Sequence, residues 1–205
     1  MNRLRVAAIV EGHGEVQSVP ILLHRLWYEL LDGEFIEVLS PPIRRNRNRF
    51  VSNKDDEIAK AVGFAAAKLS DASCPGDPSL ILILVDADED PPCKLGPDLL
   101  ALAKKCRPDQ ETACVIANVE YETWFVAAAG SLRAYLDLTS DEVLPEAPES
   151  NRLGKSWIER RFQGAKYSET IDQPRLTARM DLRMCRRRSP SFDKLCREFE
   201  LRRHR

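Results

Sequence analysis

Asp86, Asp88 and Asp90 stand at alternate positions directly after six consecutive aliphatic residues, Leu80 to Val85. Residues two apart on an extended chain point the same way, so Asp86 and Asp88 can converge on one cation. The unbroken apolar run, bracketed by Pro78 and Pro91, predicts a strand buried on both faces, as in a parallel sheet. Such a strand delivers its last residues to the carboxyl edge, where open α/β sheets keep their sites. Read without chemistry, the same acids are a turn after a core strand. Two further pairs of carboxylates follow predicted strands: Glu11 and Glu15 after Arg5 to Val10, and Glu120 and Glu122 after Ala113 to Val119. Crowded carboxylates repel one another unless a cation sits between them. Oxygen donors without a Cys or His set favour Mg²⁺ or Mn²⁺ over zinc. His13 lies between two glycines of the loop EGHGE and is a candidate general acid or base, although a lone loop histidine is usually only solvated.

Cations lie in two other places. Arg44, Arg45, Arg47 and Arg49 fill the run IRRNRNRF, which leaves a second predicted strand, and Arg186, Arg187 and Arg188 lie near the end of the chain. Either run reads as a solvated stretch or as a binder of phosphates, the first from the ligand edge of a sheet. The net charge of −1 conceals a division. Residues 1–151 hold 15 Lys and Arg against 25 Asp and Glu, and residues 152–205 hold 16 against 7. An acidic body with a basic tail suits a metal site beside a surface for polyanions, or a tail that docks on the body and neutralises it.

The elements that must position these groups alternate. Helical periodicity fills Glu15 to Leu31, Asp55 to Leu69, Asp98 to Cys106 and Glu122 to Leu136, between short strands at Arg5–Val10, Phe35–Leu39, Leu80–Val85 and Ala113–Val119. Pro20 is tolerable in the first of these helices only within its first turn. SDASCPGDPS and PPCKLGP read as loops, and Trp124 and Phe125 as core anchors. Strand–helix alternation predicts an α/β fold: a mainly parallel sheet of about four strands with helices on both faces. Residues 1–136 form the expected metal-binding body. Residues 137–156, rich in Asp, Glu, Pro and Ser, read as an exposed linker, and 157–205 as a basic helical extension built from Trp157–Phe162, Ile171–Arg186 and Phe192–Leu201.

Several classes are excluded or disfavoured. No GxxxxGK[ST] or GxSxG motif is present, and the six cysteines form no CxxC pair with zinc-site spacing, so reduced thiols are expected. The apolar stretch near the start is too short for a signal peptide and no run is long enough to cross a membrane, so a cytoplasmic protein is expected. A phosphoacceptor receiver also places Asp after its third strand, but its paired acids after the first strand and its late Lys are not placed here.

A strand ending in Glu-Gly (AAIVEGHGE, residues 7–15), followed some seventy residues later by a strand ending in Asp-x-Asp (LVDAD, residues 84–88), resembles the Toprim domain of topoisomerases, bacterial primases and overcoming-lysogenization-defect nucleases. The resemblance spans roughly residues 4–130. It implies a Toprim/Rossmann-like fold in which Glu11, Asp86 and Asp88 bind a divalent metal and Glu11 also handles protons. The chain is similar in particular to small Toprim-like proteins often encoded beside an ABC-type ATPase in phage-defence loci. That likeness is carried by Glu122-Thr-Trp-Phe125, Tyr167-Ser-Glu-Thr-Ile-Asp172-Gln173 and Ser189-Pro-Ser-Phe192.

The leading expectation is therefore a Mg²⁺- or Mn²⁺-dependent nuclease. Glu11, Asp86 and Asp88 are its catalytic acids, Glu15, Glu120 and Glu122 are ligands to a second metal, and the two arginine runs are contacts to the nucleic-acid backbone. The alternative is a non-catalytic or conditionally active partner subunit of an ABC-type ATPase.

Overall fold

The computed structural model of the chain, which describes residues 3–72, 77–163 and 166–203, places five strands in one sheet. They are β1 (Leu4–Val10), β2 (Ile36–Val38), β3 (Ile43–Arg44), β4 (Ser79–Asp86) and β5 (Thr112–Ala117). The order is β2-β1-β4-β5 and every pairing is parallel. β3 continues along the flank of β1 that β2 has left, pairing Ile9 and Val10 after β2 has paired Leu4 to Val6.

Parallel neighbours need crossover connections, and helices supply them. α1 (His13–Arg25), continued by a π-helical turn over Leu26–Leu30, links β1 to β2. α2 (Arg47–Val51) and α3 (Glu57–Ala72) link β3 to β4, and α4 (Pro92–Cys106) links β4 to β5. The pleat then sorts the strands between two cores. Val6, Ala8, Val10, Leu80, Leu82 and Leu84 pack on the α1 side, while Ala7, Ile9, Ile81, Ile83 and Val85 pack against α3 and α4. Both faces are buried, which is why the strands read as continuous apolar runs.

The remaining helices are α5 (Glu122–Ala127), α6 (Lys155–Glu159), α7 (Glu169–Thr177), α8 (Leu182–Arg188) and α9 (Pro190–Arg203). Trp124, Trp157, Leu176, Cys185, Phe192 and Phe199 share one core with the α1 face of the sheet. The expected boundaries at 136/137 and 156/157 therefore do not divide the core. The stretch 137–156 is irregular but is not an exposed linker, because Leu138, Pro148 and Glu149 are buried. The Glu149 carboxylate accepts hydrogen bonds from the Ser191 backbone N–H at 3.0 Å and from the Ser189 and Ser191 hydroxyls, partners that lie some forty residues away. Ser191 Oγ also accepts the Trp124 indole N–H at 2.8 Å, so the Ser189–Phe192 motif fastens α9 to α5.

Several other expectations shift for physical reasons. PPCKLGP is the beginning of α4, since Pro92 at a first helical position needs no N–H donor. The expected helix from Glu122 to Leu136 ends at Ala127, whose carbonyl accepts a 3.0 Å bond from the Arg188 guanidinium. The expected helix from 171 to 186 is two helices, the second capped by Asp181, which accepts the Met184 N–H at 2.8 Å. The arginine-rich run contains β3 and α2 and is not a loop. α1 starts at His13, which leaves Pro20 beyond the first turn, where buried Val19, Leu22 and Leu23 hold the helix in place. Of the expected loop at 70–79, residues 70–72 end α3, and 73–76, with Cys74, lie outside the described residues. Cys114, Cys185 and Cys196 are buried, and these three with Cys93 and Cys106 are free thiols. Trp124 and Phe125 are wholly buried, as core anchors must be. No described helix is long and apolar enough to cross a membrane.

Candidate carboxylate site at the sheet edge

Because β1, β4 and β5 are parallel, their last residues lie along one edge, and the acids that follow them come together there. Glu11, just after β1, accepts the backbone N–H of Asp86 at 3.2 Å through Oε2. Asp86 is the last residue of β4. Asp88 follows in the left-handed region at φ 48°, and its N–H donates to the carbonyl of Val119 at 2.8 Å. Val119 is itself left-handed at φ 64°, a strained conformation for a β-branched residue. Two left-handed residues clasped at adjacent strand ends cost roughly 1–3 kcal/mol each, a cost usually met at functional edges.

Glu15, in the first turn of α1, accepts the Gly12 N–H at the helix start and a 3.2 Å bond from the Gln173 amide of α7. Ser18 of α1 donates to the Gln173 carbonyl oxygen at 3.4 Å. Glu122 accepts a 2.9 Å bond from the Tyr167 hydroxyl. Glu120 accepts the backbone N–H of Lys155, whose ammonium pairs with Glu169. The C-terminal third of the chain thus forms one wall of the site.

The glycines near the acids have a use that the sequence left open. A Cβ on Gly14 would fall 1.9 Å from the Gln173 side chain and 2.9 Å from the Glu169 carbonyl, so the close approach there is of α7 to α1. A Cβ on Gly154 would fall 2.0 Å from Glu120 Oε1. Each glycine lets the C-terminal wall meet an acid.

Electrostatically the acids form one unit. Burial raises the Glu11 carboxyl to about 7, with repulsion from Glu15 and Asp88 adding to it. Asp86 is pushed well above its ordinary range by desolvation, then by Glu11, Glu15, Glu122 and Glu120. Glu15 and Glu120 are raised as well, chiefly by burial. Glu122, 4 % exposed, reaches about 8 for the same reason, although its hydrogen bond from Tyr167 holds it lower than burial alone would. Carboxyls raised together in this way are the ones that gain most from a nearby positive charge.

Arg47 supplies part of that charge. Its Nε lies 3.2 Å from Asp88 Oδ2 and 3.9 Å from Glu11 Oε2, and donates to the Asp86 carbonyl at 3.0 Å. Its Nη2 donates to the Ala87 carbonyl at 2.6 Å and to Asp90 Oδ2 at 2.7 Å. The donor chemistry of the edge suits a hard divalent cation, being oxygen only. Among the described residues, however, no three Asp, Glu, His or Cys side chains are placed closely enough to hold one ion as they stand.

The other sequence-predicted residues fall as follows. Arg44 is exposed and reaches the Glu11 carbonyl at 3.5 Å. Arg45 faces Glu57 at 3.6 Å, and Arg49 pairs with Asp55 at 2.9 Å and Glu57 at 3.2 Å. Arg186 is bound to Asp193 at 2.8 Å and Glu200 at 2.6 Å, and Arg188 to the carbonyls of Ala127 and Pro145. Those partners belong to the fold and not to the acid edge, while Arg187 is exposed. Of the seven arginines, only Arg47 pairs with the carboxylates of the site, while Arg44 touches its rim through the Glu11 carbonyl. His13 is exposed at the start of α1. Sequence reasoning assigned no role to Gln173, Tyr167 or Lys155 at the acids. The segment Tyr167–Gln173 stood out only through its likeness to other proteins, since nothing local announces what it touches.

Fold and site define an α/β protein with a parallel sheet and a carboxylate site at its carboxyl edge. The chain matches the family described as Domain of unknown function (DUF4276) over residues 10–200, and it belongs to that family. The match includes every acid of the site and the C-terminal wall. No curated protein and no solved structure matches the chain.

Proposed function

We propose that the chain is a Mg²⁺- or Mn²⁺-dependent phosphodiester hydrolase, a nuclease of Toprim type, with Glu11, Asp86 and Asp88 at its centre. The observation that carries this reading is the gathering of carboxylates from three parallel strand ends into one part-buried edge that raises Glu11 to about 7. Glu11, Asp86 and Asp88 would hold a divalent cation, which would supply polarisation of a phosphoryl oxygen and a more acidic water. Glu11, just after β1 and beside Asp86, would stand next to the reacting oxygens and is the acid suited to exchange a proton with the attacking or leaving one. Tyr167, Gln173 and the Lys155 backbone N–H hold Glu122, Glu15 and Glu120, which could contribute to a second ion. Exposed Arg44, beside the Glu11 carbonyl, is placed to meet the phosphate backbone through salt-sensitive, sequence-independent contacts. A cytoplasmic location goes with this reading.

Incubation of supercoiled plasmid and total tRNA with Mn²⁺ tests it, with the wild type beside Asp86→Ala. Cleavage by the wild type and a loss of at least about a hundredfold in the variant are expected. Equal cleavage by both proteins sinks the reading.

A second reading, a partner or regulatory subunit of an ABC-type ATPase, rests on another feature. A cavity of about 420 Å³ between α4 and α9 is lined by Pro97, Leu100 and Ile116 beside Lys194 and Arg197. It offers apolar surface to a partner's side chains. Co-purification with such an ATPase that survives high salt is the outcome that favours it.

A further inference from the structure

We propose that Arg47 is the resident cation of the carboxylate site and sets its metal affinity: a divalent ion reaches Glu11 and Asp88 by displacing the Arg47 guanidinium. This rests on the metal reading above.

One guanidinium here faces five oxygens, three as hydrogen-bond acceptors (Asp86 O, Ala87 O and Asp90 Oδ2) and two as ion-pair partners (Asp88 and Glu11). Of the five, three belong to carboxylates (Glu11, Asp88 and Asp90), and two are the carbonyls of Asp86 and Ala87 at the end of β4. Two of the carboxylates, Glu11 and Asp88, belong to the set on which the proposed metal depends. The guanidinium's positive charge lies 3.2 Å from Asp88 and 3.9 Å from Glu11, where a divalent ion held by the same carboxylates would also place its charge, so the two cations compete for one place.

The contact is built into the fold. Arg47 opens α2, whose Phe50 is wholly buried in the core and whose start is capped by Asn46, which accepts the Arg49 N–H at 3.3 Å. The Arg47 side chain is only 14 % exposed, unlike that of Arg49 at 51 %. Its neighbours Arg45 and Arg49 turn to Glu57, so the segment divides its charges between α3 and the site. Arginine does not give up its charge by deprotonation at any working pH. A carboxylate cluster with its own tethered cation is stabilised without an ion and binds one more weakly.

Calorimetric titration of the whole chain with Mn²⁺ tests this, with wild type, Arg47→Met and Arg47→Lys. Arg47→Met should bind Mn²⁺ at least tenfold more tightly than wild type, which is about 1.4 kcal/mol. Arg47→Lys, which keeps the charge and loses the fork, should fall between them. Equal or weaker binding by Arg47→Met, with wild type binding, overturns the role of Arg47 and leaves the metal reading standing. If neither protein binds Mn²⁺, both readings fall. Should Arg47→Met fail to fold, Arg47→Lys decides the matter: a gain of about threefold is expected, and an unchanged or weaker affinity overturns the proposal.

Discussion

The two ends of the sheet treat charge in opposite ways. At the amino end Arg5, with a side chain 6 % exposed, lies 3.0 Å from Glu37 and 2.6 Å from Asp77. Arg3 reaches Glu37 as well, at 3.4 Å, so two arginines meet two acids. At the carboxyl end Glu11, Glu15, Asp86, Asp88, Glu120 and Glu122 crowd together, and among the described residues Arg47 is the only arginine that forms an ion pair with any of their carboxylates. Strands of equal burial and the same direction lead to both ends, so the packing does not explain the contrast. Charge that is matched holds a fold together, while carboxyls crowded without enough cations are pushed up in pKa, as Glu11, Asp86 and Glu122 are.

The sharpest way to break this comparison is Arg5→Met. Removing one partner of a buried pair strands the other charges, and a loss of about 3–5 kcal/mol in urea unfolding is expected. A loss below about 1 kcal/mol would show that the amino end is not held by its ion pairs.

The carboxyl end should behave in the opposite sense. Glu122 carries a folded value of about 8, above its ordinary 4.5, so the folded chain keeps a proton that the unfolded chain releases. Its contribution to stability is fully present below pH 4.5 and is lost as pH rises through 8. Glu122→Gln, which keeps an acceptor for Tyr167, should match wild type at pH 5 and exceed it at pH 9 by roughly 2–4 kcal/mol. Urea unfolding across that range checks it. A variant less stable than wild type at pH 9 would place Glu122 with the matched charges.

The smallest effect belongs to Tyr167→Phe. It removes one donor to Glu122 and should cost about 1 kcal/mol at pH 9, where the carboxylate is ionised and needs that bond. The cost should shrink at pH 5. A loss independent of pH would mean that Tyr167 serves packing alone.

Much of this is legible in the sequence. Leu80–Val85 could only be a strand covered on both sides, and the acids after three such strands had to share an edge once the strands were parallel. Helix limits were less legible, because they depend on remote partners. α5 stops at Ala127 where Arg188 takes its carbonyl, and 137–156 looked like a linker because nothing near Glu149 discloses Ser189 and Ser191. Arg47 was legible as a cation near the ligand edge but not as the partner of the acids. The glycines of EGHGE are plain in the sequence, but nothing near them discloses that α7 packs against Gly14.

What the sequence alone determined was four of the five parallel strands, all but β3, and the placing of Glu11, Asp86, Asp88, Glu120 and Glu122 at their ends. Those follow from local rules: a period of two along each strand, a fixed hand for the crossovers, and a buried strand that must end at an edge. Only the tertiary structure decided what each acid faces. Gln173 reaches Glu15 across 158 positions, Tyr167 reaches Glu122 across 45, and Arg47 reaches the end of β4 across about 40. A charge acts through space and through the water that packing removes, so its partners are set by how helices close over the sheet and not by their order along the chain.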